Sequence, residues 1–252
     1  MLAQATGFYR EQPVGSGLQD HFACAWVHQL PSDGRSSIIV VPDGSIDLQW
    51  IGGQWRIAGP DRDPQTETPQ AGSTIIGFRF RPAAAATWLG LPASELLNQR
   101  VWLEDAWGAK ARRMADGLDR PREPEALMTA LEDAVARHLP PVEGCRSDMG
   151  AAFELLAAGA PPGKSLVPWL AGHFSLSERT LRRRFEEAFG YGPKTLDRIL
   201  RFQRFLTLVR ASGNASGASL AAETGYADQA HLVRESRRLA ASTPRDIANL
   251  FA

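Results

Sequence analysis

The last third of the chain carries one pattern twice, and this duplication constrains the fold more than any other feature. The first copy is SLVPWLAGHFSLSERTLRRRFEEAFG, residues 165–190, and the second is GASLAAETGYADQAHLVRESRRLAA, residues 217–241. Each reads as a short apolar helix, a tight turn, and a longer helix with basic or amide side chains on one face. This is the grammar of a helix-turn-helix unit, whose second helix fits a DNA major groove about 12 Å wide.

In the first unit, Leu166, Trp169 and Leu170 give the leading helix an apolar face, and Ser177 stands where an N-cap is needed. Leu181, Phe185 and Ala188 share one face of the next helix by their spacing, while Arg179, Arg182, Arg183 and Glu186 share another. Arginine offers two parallel donors to guanine O6 and N7, which makes Arg179, Arg182 and Arg183 candidates for base reading. The competing reading is a solvated face whose arginines pair with Glu186 and Glu187. In the second unit, Leu220, Ala221 and Ala222 form the short buried face, and Gly225 suits a left-handed helix end. Tyr226 plugs the core, and Asp228 caps the following helix. Gln229, His231, Arg234 and Arg238 are then the polar side chains best placed to reach DNA.

Between the units, PKTLDRILRFQRFLTLVRA, residues 193–211, reads as a rigid connector with a wide apolar face that includes Leu196, Leu200, Phe202 and Leu206. Some 17 residues at about 1.5 Å rise span roughly 26 Å. With a helical body at either end, that sets two recognition helices about one DNA turn apart, near 34 Å. One chain would then touch two successive major grooves. Arg198, Arg201 and Arg204 of the connector, together with Arg238, are the expected phosphate contacts.

A net charge of zero argues against a nucleic-acid binder until the chain is divided. Residues 1–147 hold 14 Lys+Arg against 18 Asp+Glu, net −4; residues 148–252 hold 14 against 10, net +4. The stretch 179–210 alone holds nine Lys+Arg against three Asp+Glu, net +6. Such asymmetry is the footprint of a DNA-binding tail on a neutral or acidic partner domain.

The first hundred residues are written in a different period. SSIIVV, PDG and SIDLQW read as two strands around a turn; QWRIAGP and STIIGFRF continue the pattern. In the last of these, Ile76, Phe78 and Phe80 alternate with Gly77 and Arg79. Pro82 is expected to open a short helix, AAAATWLG. From about Leu103 the pattern turns helical, and Leu127, Leu131, Val135 and Leu139 form one stripe that packs on its own domain or on another subunit. The expected architecture is α+β. A β-rich sandwich or barrel-like domain over 1–103 leads into a helical linker region over 104–147. An all-α domain with two helix-turn-helix motifs covers 148–252, with the boundary in PPVEGCRSD, residues 140–148.

Other chemistries are weighed against this. No apolar run approaches the ~20 residues that span a bilayer, and the N-terminus lacks the basic start and apolar stretch of a secretory signal. Two distant cysteines, Cys24 and Cys145, make neither a disulfide framework nor a zinc cluster, so a cytoplasmic protein with reduced thiols is expected. An enzyme or metal-binding protein in the N-terminal domain is the main alternative. The H-x-x-C-x-x-x-H spacing of His21, Cys24 and His28 suits metal ligands carried on a helix, although packed side chains without metal explain them more simply. No G-x-S-x-G elbow, P-loop or G-x-G-x-x-G occurs, and neither a cofactor nor a catalytic residue is expected. Turn chemistry accounts for Asp43 beside Asp47. A protein-interaction module that uses the helical pairs without DNA is a third reading. Trp26, Trp50, Trp55, Phe78, Arg79 and Arg81 are candidates for a ligand pocket, with Trp50, Arg79 and Arg81 the leading three; core aromatics and solvated strand arginines are the competing reading.

The C-terminal ~90 residues resemble the DNA-binding region of the AraC/XylS transcription regulators. The resemblance is carried by S-x-R-T-L-x-R-x-F from Ser177, G-x-x-P from Gly190, R-x-x-R from Arg198, A-x-x-x-G-Y-x-x-Q-x-H from Ala221, and the closing Thr243-Pro244. VVPDGSIDLQW, IAGP and GFRFRPAAAATWLGLPASEL are similar to the sensor-like domain of one subgroup. The resemblance implies base-facing roles for Arg179, Arg182 and Arg183 in the first recognition helix. It implies the same for Gln229, Ala230, His231, Val233 and Arg234 in the second. It also implies double-stranded DNA as partner, modulation by a small-molecule effector or through a homodimer, and contact with RNA polymerase in an activator. Two positions depart from the pattern. Ser236 stands where a phenylalanine is usual, and Ala241 where a glycine is usual, which predicts a second unit loosened by up to a few kcal/mol unless neighbours fill the space.

Overall fold

Period-two alternation builds the N-terminal half. The structure, a computed structural model, describes residues 6–32, 37–118, 123–140, 148–161, 163–212 and 217–251. The strands are β1 (Phe8–Gln12), β2 (Phe22–Gln29), β3 (Ile38–Val40), β4 (Asp47–Ile51), β5 (Gln54–Ala58), β6 (Gln65–Glu67), β7 (Thr74–Phe80) and β8 (Arg100–Trp102). Six of them form one sheet in the order β1-β2-β7-β4-β5-β8, and β3 pairs with β6 in a separate antiparallel ribbon. Every pairing in the six-stranded sheet is antiparallel. The two-layer β domain is thus present in reduced form, as an open sheet with a ribbon.

The two segments around the Pro42-Asp43-Gly44 turn do not pair with each other. β3 joins the ribbon and β4 enters the main sheet, so the turn carries the chain between layers rather than closing a hairpin. The sequence showed a turn but not the partners of its flanks, because β4 pairs with β7, about 30 residues on.

Alternation gives the main sheet two unlike faces. Phe22, Ala25, Leu48, Trp50, Trp55, Ile57, Ile76, Phe78 and Phe80 point one way into an apolar core. That core is closed by α1 (Ala84–Leu89), α2 (Leu103–Trp107), α3 (Ala109–Ala115) and α4 (Pro124–Ala136), which contribute Trp88, Leu103, Met114, Leu131 and Val135. The segment read as a helical linker therefore packs as part of the N-terminal core, and the Leu131–Val135 stripe is satisfied within the chain. The expected boundary falls on 141–147, outside the described residues. Helix α1 begins at Ala84 rather than at Pro82, because Ala83 adopts a left-handed φ of 68° ahead of it.

The C-terminal third follows period 3.6. Its helices are α5 (Asp148–Ala158), α6 (Leu166–His173), α7 (Glu178–Phe189), α8 (Pro193–Ser212), α9 (Gly217–Glu223), α10 (Gln229–Ala240) and α11 (Pro244–Asn249). They close over one core that includes Leu170, Leu181, Phe185, Phe202, Phe205 and Leu232. No helix among the described residues is long and apolar enough to cross a membrane.

The two halves share an interface. Ile39, Val41, Ala83 and Leu97 of the N-terminal half pack against the C-terminal core. Gln203 of α8 donates its amide N–H to the Pro42 carbonyl at 2.7 Å. A Cβ at Gly44 would stand 3.2 Å from both Leu196 and Phe153, so the turn lies directly against α8 and α5. Gly190, at the end of α7 with φ +80°, presses on Pro60 and the Ala93 carbonyl, where a side chain would clash at 2.8 and 3.0 Å.

Candidate DNA interface and interdomain cavity

Both helix-turn-helix units are assembled as their local chemistry dictates. The Ser177 hydroxyl accepts from the Thr180 backbone N–H at 3.1 Å and caps α7. Leu181 and Phe185 below it are fully buried. Asp228 caps α10 by accepting from the His231 N–H at 2.6 Å, at the positive end of the helix dipole. Leu232, Leu239 and Ala240 are buried under α10, and Tyr226 fills the core between α9 and α10. Ala222, expected on the buried face of α9, is exposed.

The predicted base-reading groups stand at the surface. Arg179, Arg182 and Arg183 are exposed on α7, and Gln229, Arg234 and Arg238 on α10. His231 is half-buried, edge-on to the Tyr226 ring at 5.2 Å. Arg182 pairs with Glu178 at 2.9 Å and Arg183 with Glu187 at 2.7 Å. These exposed i,i+4 pairs are each worth at most about 0.5 kcal/mol, weak enough to be exchanged for a nucleic-acid contact. Ala230 is exposed and Val233 half-buried on the same helix as Arg234.

The connector arginines are placed differently from the expectation. Arg204 donates from Nη1 to the carbonyls of Leu156 and Ala157, at 3.0 and 3.1 Å, and so satisfies the C-terminal end of α5. Arg201 pairs with Asp197 at 2.6 Å and lies over the Tyr226 ring. Arg198 faces Glu235 of α10 at 3.6 Å, and its guanidinium is pushed below its ordinary value by burial and by neighbouring Arg238. These three side chains tie α8 to α5, to the turn between α9 and α10, and to α10. The sequence shows their charge but not the carbonyls and carboxylates they fold onto.

The second feature is a cavity of about 120 Å³ between the other face of the main sheet, the β3–β6 ribbon and α8. Its apolar wall comprises Tyr9, Trp26, Ile38, Ile75 and Leu206. Trp26 occupies the space above Gly77 in the neighbouring strand, where a Cβ would stand 2.2 Å from the indole. Its polar wall is a set of cross-strand charge pairs. Asp47 on β4 lies opposite Arg79 on β7, with Arg79 Nε 3.2 Å from Asp47 Oδ1. Arg79 also meets Asp43 at 3.4 Å and Glu11 at 3.1 Å. Arg100 on β8 bridges Asp61 and Glu67, each at 2.7 Å, and Arg56 on β5 joins Glu67 at 3.0 Å.

Burial raises the Asp47 carboxyl despite the pull of Arg79, and pushes Asp61 up to about 6 against the pull of Arg100. Burial pushes the Glu67 carboxyl up as well, but Arg56 and Arg100 together outweigh it and hold that carboxyl below its usual value. Cys24, on the same face of β2, is a free thiol raised by burial to about 11.

Of the residues expected to line a ligand pocket, Trp26 and Arg79 line this cavity, and Arg81 lines an adjoining cleft. Trp50, Trp55 and Phe78 lie in the core on the opposite face of the sheet, which one residue of strand register decides. Arg81 follows β7 and donates to the Gln19 carbonyl. Sequence reasoning missed Asp47, Gln49, Arg56, Asp61, Glu67 and Arg100 for this role; a signal existed for the first three, as polar residues at alternate positions of β4 and β5. His21, Cys24 and His28 lie on and beside a strand rather than a helix, and the His28 Nε2 is 2.6 Å from the Thr6 carbonyl. No group of three or more His, Cys, Asp or Glu that could hold a metal ion occurs among the described residues.

These features coincide with what the chain is similar to. Residues 170–249 match a helix-turn-helix domain family, and residues 11–102 match a family described as a domain of unknown function, DUF6597. No protein of curated function matches. Two solved structures share the fold. A ligand-free alanine variant of ToxT from Vibrio cholerae strain SCE256 superposes with a TM-score of 0.53 at 9% identity, over 96% of this chain and 100% of that one. ToxT from Vibrio cholerae O395 does so with a TM-score of 0.51 at 11% identity, over 90% and 96%. The chain carries a C-terminal helix-turn-helix domain of the AraC type, and with it the role of a DNA-binding transcription regulator.

Proposed function

We propose that the protein reads an operator through two successive major grooves, α7 supplying Arg179, Arg182 and Arg183 and α10 supplying Gln229, His231 and Arg234. Arg238 supports the second contact on the phosphate backbone, and the connector arginines act through packing rather than on DNA. The observation that carries this reading is the exposure of the arginines on α7 above a fully buried Leu181–Phe185 face. A 20-residue α8 at about 1.5 Å per residue holds the two units about 30 Å apart along its length. Selection of bound sequences from a random DNA pool tests it. Two half-sites about 10 base pairs apart are expected; a single half-site overturns the two-groove reading.

The cavity is the site of regulation. A small molecule there touches the sheet through Asp47 and Arg79 and touches α8 through Gln203, Leu206 and Arg210. Asp43 lines the same cavity, while its neighbours Pro42 and Gly44 bear on Gln203 and Leu196. The occupant therefore acts on the helix that spaces the two recognition helices. Substitution of Gln203 by Ala should change operator affinity without unfolding either domain. Operator binding that is unchanged with and without effector-containing extract would set this route of regulation aside.

A further inference from the structure

We propose that the interdomain cavity takes a compact, uncharged molecule of about ten non-hydrogen atoms bearing a hydroxyl or amide, and rejects ions of either sign and long acyl chains. This rests on the reading of the cavity as the effector site. Size is the first argument. A volume of about 120 Å³ is close to the roughly 150 Å³ of an engineered cavity that takes up a benzene ring. A compact ring with one substituent fits that space, whereas an extended chain must pass Arg79 and Gln203 into the adjoining cleft.

Charge is the second argument. Asp43, Asp47, Asp61 and Glu67 on the wall are matched by Arg56, Arg79, Arg100 and Arg210, so the lining is electrically balanced. The pairs are already made. Arg79 is held by Asp47, Asp43 and Glu11, Arg100 by Asp61 and Glu67, and Arg56 by Glu67. Arg210 lies over the Phe251 ring at 4.9 Å. An anionic ligand must draw Arg56, Arg79 or Arg100 from its built-in carboxylate or lift Arg210 from its ring, and a cationic one must take a carboxylate from its arginine. Either exchange leaves a desolvated charge unpaired.

What the wall offers instead is neutral. Gln49 accepts from Arg56 through Oε1, and Gln203 donates to Pro42 through Nε2. The Gln49 amide N–H and the Gln203 carbonyl oxygen are then a donor and an acceptor for an uncharged ligand, beside the apolar surface of Trp26, Ile38, Ile75 and Leu206.

Three near-isosteric probes separate the possibilities: benzamide, benzoate and benzamidinium, with dodecanoate as the long-chain arm. Each is titrated into the full chain at neutral pH by calorimetry, with the indole N–H resonance of Trp26 as a reporter inside the cavity. The same titrations on Ile75→Trp and Leu206→Trp, which fill the space from opposite walls, show whether binding depends on it. Benzamide is expected to bind at least about tenfold more tightly than either ion, to shift the Trp26 resonance, and to weaken about tenfold or more in both variants. Tighter binding of benzoate, benzamidinium or dodecanoate that shifts Trp26 overturns the ligand class while leaving the cavity as the effector site. Binding of every probe that leaves Trp26 unmoved, or no binding at all, overturns both. The Trp26 resonance is read on the unaltered chain, so the result stands even if a filled variant fails to fold.

Discussion

The two helix-turn-helix units have the same plan and unequal construction. The first buries the aromatic pair Phe185 and Phe189, with ring centroids 5.3 Å apart, and ends α7 on Gly190, whose left-handed φ of 80° is unstrained. It is also braced from outside, because Gly190 seats on Pro60 and Ala93 of the N-terminal domain. The second buries Ser236 in the middle of α10 with its hydroxyl unpartnered among the described residues. It ends on Ala241, which adopts a left-handed φ of 51° at a steric cost that a glycine avoids. The same plan is thus executed with an aromatic core seated on the N-terminal domain in the first unit, and with a buried unpaired hydroxyl and a left-handed alanine in the second, which predicts the second to be the looser unit. Local stability, rather than motif identity, separates them.

The comparison can be broken or sharpened by measurement. The largest expected effect is on the first core. Phe185→Ala should cost about 3–5 kcal/mol in urea denaturation, against about 2–3 kcal/mol for Leu232→Ala in the second unit. Equal costs would remove the inequality of the two cores. Next is DNA affinity: with the fold intact by circular dichroism, Arg183→Ala should lose about 1–3 kcal/mol at the selected operator, and Arg234→Ala less. A larger loss at Arg234 would make the looser unit the principal reader. Ala241→Gly should stabilise the protein by about 1 kcal/mol by relieving the left-handed alanine, seen as a raised thermal midpoint. An unchanged or lowered midpoint contradicts the assigned strain. The smallest effect is Ser236→Ala, which removes an unpaired buried hydroxyl and should stabilise by about 0.5–1 kcal/mol. Amide exchange in α10 should slow in both of these variants and stay unchanged in α7. Parallel slowing in α7 would show that the two units open together.

Much of the DNA-binding domain was legible in the sequence because its determinants are local. Ser177 and Asp228 cap the helices that follow them within three residues, and Leu181, Phe185 and Leu232 declare their faces by spacing alone. Departures from the family pattern at Ser236 and Ala241 were visible too, and each now has a structural counterpart in a buried hydroxyl and a left-handed alanine. The connector shows where this legibility ends. A row of arginines at helical spacing looks available to phosphate, yet Arg204 turns to carbonyls of α5, which lie nearly 50 residues earlier.

The sequence by itself determined which segments are helical or extended and which end of the chain meets DNA, since caps, periodicity and charge act over a few residues. Tertiary structure alone decided the interdomain cavity. Asp47 and Arg79 become neighbours only because β4 pairs with β7, and Arg100 reaches Asp61 and Glu67 only because β8 adds to β5 at the sheet edge. Strand partners far apart along the chain are selected by the packing of the whole sheet. A cavity closed by the Pro42–Ser45 turn and α8 therefore leaves no contiguous trace in the residues that form it.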